Sequence, residues 1–387
     1  MRKTKALPGP GMRVLLISPW IKLGGSECLV LRLARLLSDR GCQVSVACCF
    51  VDSRLIEDQV AGIHFVQPWR WIGALSRRSR ACLMLLGCPA LLVTVLRHAR
   101  NYELLNPHNF PALWIAAFTS RVAGIPIVWH FNEPAPIAAA MEGIERQAAR
   151  RVRAITVLDE RSRSRVRQAF ARDALVVRPG VDLEFWSADS RSVTSLIGRS
   201  AEELTLLSVG KIHPQKNQIM LVDVLRELTE LHPEPHLLIT GDGPARRAVE
   251  QRARELKLHD RVIFTGTVDA ATLRALYRSA FLVCFPALDQ TWGLTPFEAL
   301  CQKTVSLVSS QAGAAEVLGP QGIGLVANPD APSFARAIQL AWEDTDRIDA
   351  MGERGFAFVK DVMSWERFGD RMLEVFGAAP ANRVSAA

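Results

Sequence analysis

Short apolar runs alternate with stretches whose apolar positions recur every three or four residues, and this alternation continues through both halves of the chain. In the first half Val14–Ser18, Val44–Phe50, Ile63–Val66, Leu104–Asn106, Ile127–Phe131, Ala154–Leu158 and Leu175–Val177 read as strands. Ser26–Asp39, Ala90–Arg100, Ala112–Val122, Ile137–Arg151 and Arg161–Ala171 read as helices. A Ser-rich polar stretch, Ser187–Ser200, interrupts the pattern, which then restarts. The later strands are Leu204–Val209, His236–Thr240, Val262–Thr265, Phe281–Phe285, Val305–Val308 and Gly324–Ala327. Helices at Asn217–Leu231, Ala245–Leu256, Ala271–Ser279, Pro296–Leu300 and Pro332–Glu343 separate them. Strands without polar alternation are buried on both faces, which is the signature of parallel βαβ units. Two Rossmann-like α/β domains are expected: residues 1–186, and residues 187–361. A helix at 362–376 and a tail at 377–387 follow.

Composition narrows the class. The 387 residues are 49% hydrophobic and 22% charged, as in ordinary globular proteins, and the length favours two domains. The eight cysteines show no C-x-x-C spacing, so they read as reduced core residues in a cytoplasmic protein. Met1–Gly11 is a basic leader, and Met12–Ser18 is too short for the apolar core of a secretion signal. Ala81–Leu96 carries no charge, yet falls short of the roughly 20 residues of a spanning helix. It reads as a buried helix or one grazing a bilayer.

Charge is uneven: residues 1–186 hold 26 Lys+Arg against 14 Asp+Glu, and residues 187–387 hold 21 against 25. Arg70, Arg77, Arg78 and Arg80 cluster beside the apolar stretch. An anionic membrane surface is therefore an expected partner, against the plainer reading of a solvated Arg-rich face. Nucleic acid is not expected, because the arginine clusters lack interleaved stacking aromatics.

Candidate chemistry sits where strands end. Gly24-Gly25-Ser26-Glu27 follows the first strand and opens a helix, so backbone N–H groups and a close approach are available to a ligand. His130, with Asn132, Glu133 and Pro134, ends another strand of the first half. Lys211 and Lys216 lie on the loop after the first strand of the second half, placed to converge on a phosphate pair or simply to be solvated. Gly241-Asp242-Gly243-Pro244 follows the next strand but lacks the third glycine of a dinucleotide fingerprint. Leu294-Thr295-Pro296-Phe297-Glu298 reads as a capping box, Thr295 at N-cap, Pro296 at N1 and Glu298 at N3. Glu298 thus has two readings open, a cap reaching back to the Thr295 N–H and an acceptor for a ligand diol.

In order and spacing these segments resemble the retaining family 4 glycosyltransferases of GT-B fold. The matching pieces are GGSE (24–27), HFNEP (130–134), RPGVDLEF (178–185), VGKIHPQKN (209–217), LHDRVIFTG (258–266), GLTPFEAL (293–300), AGAAEVL (312–318) and GLVANPD (324–330). The resemblance implies two Rossmann-like domains facing each other across a cleft. It also implies sugar transfer from a UDP- or GDP-sugar to a glycan or lipid-linked acceptor, as in cell-envelope or exopolysaccharide synthesis. Gly25, Lys211, Lys216, Gly243, Leu294, Thr295 and Glu298 would hold the donor, and His130, Lys216 and Gln290 would serve catalysis. Cations and helix dipoles would take the place of a metal, so no cofactor is expected. The final stretch Ser364–Phe376 would return to pack on the first domain. The enzyme would work in the cytoplasm, peripheral on the inner face of the membrane.

One position departs from the family pattern: the E-x7-E pair reads Gln290…Glu298. A carboxamide keeps hydrogen bonding and loses charge. A catalytically weakened nucleotide-sugar-binding protein and a GT-B nucleotide-sugar epimerase therefore stand as alternatives; an NAD-dependent oxidoreductase lacks its fingerprint.

Overall fold

The computed structural model describes residues 11–22, 25–52, 60–132, 142–188 and 205–377, without the side chains of Ser26, Arg80 and Glu142. The described chain divides into two compact units, one running to Pro179 and resuming at Trp365, the other Gly180–Ser364.

In the first unit β1 (Arg13–Ile17), β2 (Gln43–Ala47), β3 (His64–Val66) and β4 (Leu104–Pro107) form a parallel sheet in the order β3-β2-β1-β4. β5 (Val128–His130), β6 (Ala154–Val157) and β7 (Leu175–Val176) follow as a second parallel set. A bridge between Leu105 and Ile127, and a 2.6 Å bond from Asn106 Nδ2 to the Val128 carbonyl, join the two sets. Helix α1 (Gly25–Asp39) connects β1 to β2, and α2 (Phe110–Ala123) connects β4 to β5. Asn109 caps α2 by accepting from the Ala112 N–H at 2.9 Å, and Gly124 ends it in the left-handed region. Beneath β5 the rings of Phe110, Trp129, Phe131 and Phe170 meet edge-on and tilted at 5.2–6.4 Å between centroids.

The apolar stretch is helical from further upstream than its pattern suggests. A π turn, Leu83–Gly87, runs straight into the helix Cys88–His98. The extra residue in the π turn keeps one face inward: Leu83, Cys88, Leu91, Val95 and Ala99 all enter the core. Leu85, Leu86 and Val93 stay exposed, as do Trp71 on the neighbouring helix Arg70–Arg78, which the sequence pattern does not announce, and Trp69 just before it. By length and composition Leu83–Asn101 could cross a membrane, but a third of it is buried within the unit.

The second unit is one six-stranded parallel sheet of β8 (Thr205–Val209), β9 (His236–Thr240), β10 (Val262–Gly266), β11 (Leu282–Phe285), β12 (Ser306–Ser309) and β13 (Leu325–Ala327). Its order is β10-β9-β8-β11-β12-β13. In both units the chain builds outward from its first strand in one direction, then reverses, and the reversal opens a crevice at the carboxyl ends of the two central strands. Those strands are β1 and β4 in the first unit, β8 and β11 in the second.

Two boundaries differ from the sequence reading. The first unit ends at Pro179 and not at 186, because the helix Leu183–Ser187 packs into the second unit. There Trp186 meets the Tyr277 ring edge-on at 5.8 Å, and its carbonyl accepts from Gln302 Nε2. The last helix is Trp365–Gly377, grouped with the first unit. Arg40 ties it down, donating to Asp370 Oδ1 and to the Glu366 carbonyl, both at 2.7 Å, while Arg32 lies over the Trp365 ring. Most of the Ser-rich stretch, and the tail beyond 377, lie outside the described residues.

The aromatic cluster yields the first prediction. Trp129→Ala removes its largest ring from a dry core and is expected to cost about 3–5 kcal/mol, read as a lowered denaturation midpoint.

Candidate active site

In the second unit the loops that follow β8, β9 and β11 crowd together at the crevice. After β8 the chain turns through Gly210, whose N–H bonds the Thr240 carbonyl, and Ile212 N–H bonds the Asp242 carbonyl. A Cβ on Gly241 would lie 2.2 Å from the Gly210 oxygen, and one on Gly243 at 2.2 Å from the Ile212 oxygen. Gly241 and Gly243 are therefore required so that two backbones can touch. This assigns Gly243, expected as a donor-binding residue, a packing role.

Lys211 is exposed on this loop. Lys216 ends a 3-10 turn, Pro214–Lys216, that His213 caps. Its Nζ donates to Gln290 Oε1 at 2.6 Å and sits 5.2 Å from the centre of the Phe285 ring, at the end of β11. The Gln290 loop is fixed by its own backbone. Leu288 N–H bonds the Gln215 carbonyl at 2.8 Å, and Gln290 bridges Ala312 and accepts from the Gly313 N–H at 2.9 Å. Asp289 between them adopts a left-handed φ of 50°, and it is Gln290 that meets Lys216. Burial pulls the Lys216 ammonium down to about 8.

The helix after this loop, Thr295–Leu300, begins one residue earlier than a capping box requires. Leu294 already has helical angles, and its carbonyl accepts from the N–H groups of Phe297 and Glu298 at 2.8 and 2.9 Å. Thr295 lies inside the first turn and makes no side-chain cap, so the reading of Thr295 as N-cap is corrected. Glu298 does not reach back to it. Its Oε2 accepts from the Tyr277 hydroxyl at 2.9 Å, and Tyr277 is fully buried. Burial lifts the Glu298 carboxyl to about 7, with the Tyr277 bond pulling the other way. As first-turn residues, Leu294 and Thr295 carry N–H groups with no intrahelical acceptor. The site so far holds a cation with a neutral partner, and a carboxylate with an adjustable charge.

In the first unit the crevice is a cavity of about 100 Å³ lined by Ser18, Trp20, Glu27, Val30, His108, Asn109 and Asn132. Glu27 accepts from Trp20 Nε1 at 2.9 Å. Gly25 opens α1 with nothing within 4 Å of its Cβ position. Gly24 and Glu133–Pro134 lie outside the described residues. His130, expected to be open to substrate, is fully buried. Its Nδ1 bonds Thr156 Oγ1 at 2.8 Å, and Nε2 has no protein partner among the described residues. Its ring centre lies 5.1 Å from that of His108. Asn106 commits its amide N–H to the Val128 carbonyl, so its oxygen must accept from His108 Nε2, at 2.9 Å. That bond leaves the buried Nδ1 of His108 as a bare lone pair. Both rings are kept neutral, His130 at about 4, by burial.

Several participants escape a reading of the sequence. His108 and Asn109 follow β4 directly, and a polar pair at a strand's carboxyl end is a signal that could have found them. Tyr277 and Thr156 carry no such signal, since each is brought in by packing from a distant element.

Comparison with known proteins bears on the family and the fold. The model of Glycosyltransferase Family 4 matches residues 23–185, and that of glycosyl transferases group 1 matches residues 197–358. A D-inositol 3-phosphate glycosyltransferase of Kineococcus radiotolerans is 27% identical, with 94% of this chain and 92% of that protein aligned. A phosphatidyl-myo-inositol mannosyltransferase of Mycolicibacterium smegmatis is 27% identical over 86% and 85%. Among solved structures, Anabaena HepE in complex with UDP superposes with a TM-score of 0.80 at 19% identity, over 95% of this chain and all of that one. The chain belongs to the family 4 glycosyltransferases and has the GT-B fold.

Glu298 supplies a prediction about pH. Its folded value, about 7, lies above the ordinary carboxyl value, so the folded state binds the proton more tightly. Its burial therefore costs nothing in acid, and stability is lost as pH rises towards 7. Glu298→Gln is expected to be about 1–3 kcal/mol more stable than the native chain above pH 7, the gap closing near the ordinary carboxyl value. Thermal melts across that range would show it, and parallel curves would contradict it.

Proposed function

We propose that the protein is a retaining glycosyltransferase that takes its sugar from a nucleoside diphosphate. The observation that carries this reading is the pairing of Lys216 with Gln290 at the second unit's crevice, beside the Tyr277-supported Glu298. A diphosphate needs fixed positive charge where negative charge grows as the bond to the sugar breaks, and Lys216 with Lys211 provides it. Ionised Glu298 accepts hydrogen bonds from the ribose diol, and its Tyr277 partner holds the carboxylate in one orientation. N–H groups at Leu294 and Thr295 complete the cradle. On this reading the lysines do the work of a metal. The Anabaena relative in complex with UDP, at the same fold, supports a uridine nucleotide.

The acceptor is a lipid-linked or polysaccharide glycan. The mycobacterial relative, by its name, acts on a phosphatidylinositol, which favours a lipid. The exposed face agrees. Trp69, Trp71, Leu85, Leu86 and Val93 project beside the exposed Arg70, Arg77, Arg78 and Arg97, an apolar face with a cationic border. Such a face suits an anionic bilayer on the cytoplasmic side, with the helix lying on the membrane.

Two experiments test the proposal. Lys216→Ala and Glu298→Ala should each lower transfer from UDP- or GDP-sugars about 100-fold or more, with product of retained anomeric configuration in the native enzyme and no loss on adding EDTA. Near-native turnover in both variants, inversion, or abolition by EDTA would count against it. On sedimentation with vesicles, the native protein should follow anionic lipid and lose that preference on Arg77→Glu with Arg78→Glu and Leu85→Asp. Equal recovery with neutral vesicles would remove the membrane from the account.

A further inference from the structure

A carboxamide beside a half-buried cation is an unusual choice, because a carboxylate at position 290 would form an ion pair. The orientation of the amide is fixed by chemistry: its NH2 and the ammonium are both donors, so only Oε1 can face Nζ. Two independent backbone anchors, Leu288 to Gln215 and Gly313 to Gln290, hold the loops that carry the pair. The Phe285 ring covers another side of the ammonium. The titratable residues on the two segments are Lys211 and His213 beside Lys216 and Asp289 beside Gln290. Among the described residues none of these is hydrogen-bonded or ion-paired with Lys216.

We propose that Gln290 is a positioning residue, a neutral tether that aims the Lys216 ammonium while leaving its charge wholly available to an incoming phosphate. Anion capture by this enzyme is then coupled to protonation of one lysine. A glutamate here would neutralise the cation before the donor arrived. The proposal rests on the nucleotide-sugar reading for the identity of the anion, and on the 2.6 Å bond alone for the tether. The sign follows from burial, which sets Lys216 at about 8. Below that value the lysine is charged and the anion binds fully; above it, binding must take a proton from solvent, and affinity falls. A carboxylate at 290 raises the lysine's value and moves the fall to higher pH.

Calorimetric titration with UDP, from neutral pH to one unit above the Lys216 value, tests this in buffers of different ionisation enthalpy. The native enzyme should lose affinity through about 8 with net proton uptake. Gln290→Glu should bind UDP about tenfold more weakly at neutral pH, with its decline displaced upward. A flat native profile, or identical profiles for the two proteins, would overturn the tether. NMR titration of isotopically labelled lysine in the ligand-free protein gives a second measurement, with the Lys216 signal assigned through Lys216→Arg. A value near 8 that rises in Gln290→Glu supports the tether even if UDP binds neither protein, an outcome that would sink the nucleotide reading alone. An ordinary lysine value, unmoved by the substitution, would refute the tether.

Discussion

A parallel strand covered on both faces has no room for a charge along its length, and this constraint governs the whole chain. β1, β8, β9 and β11 are apolar almost throughout, and their flanking helices bury them. Chemistry is confined to the carboxyl ends, and within those to the point where strand order reverses. Both units obey the same rule. In one, Ser18 and Trp20 after β1 meet His108 and Asn109 after β4; in the other, Lys216 after β8 meets Gln290 after β11. Topology selects the place, and the loops then select the reaction.

Placing ionisable groups at such a junction costs stability, and each is displaced in the direction burial dictates. Glu298 is raised, while Lys216 and His130 are lowered, so all three sit closer to neutrality than they would in water. Among the described residues each is hydrogen-bonded to a neutral partner and not to an opposite charge: Tyr277 for Glu298, Gln290 for Lys216 and Thr156 for His130. A hydrogen bond orients a side chain without cancelling its charge. A site built of such bonds keeps its side chains oriented and their charge poised to respond to their surroundings.

Neighbouring backbones supply the rigidity that this poise needs. Gly241 and Gly243 allow the loop after β9 to lie against the loop after β8, and the Gln215 and Gly313 bonds fasten the loop after β11. Lys216 and Gln290 are 74 residues apart in sequence, so their 2.6 Å contact is maintained by the sheet and not by local chain geometry. In the first unit the π turn at Leu83–Gly87 does comparable work, rotating one face of a long apolar helix into the core and leaving another exposed.

By itself the sequence determined the strands, most of the helices and the positions at which loops leave the sheets, because burial on two faces writes an unbroken apolar run that needs no partner to be recognised. Its resemblance to the family also marked Gln290 as standing where the family pattern carries a carboxylate. What only the tertiary structure decided is who touches whom. Thr295 looks like a cap, and lost that role because Leu294 was already helical. Glu298 found Tyr277 from another helix, His130 sank beside His108, and Gly243 turned out to serve backbone packing. Periodicity reports the face a residue presents. The partner it meets depends on strand order and loop packing, which bring together residues that share no local pattern.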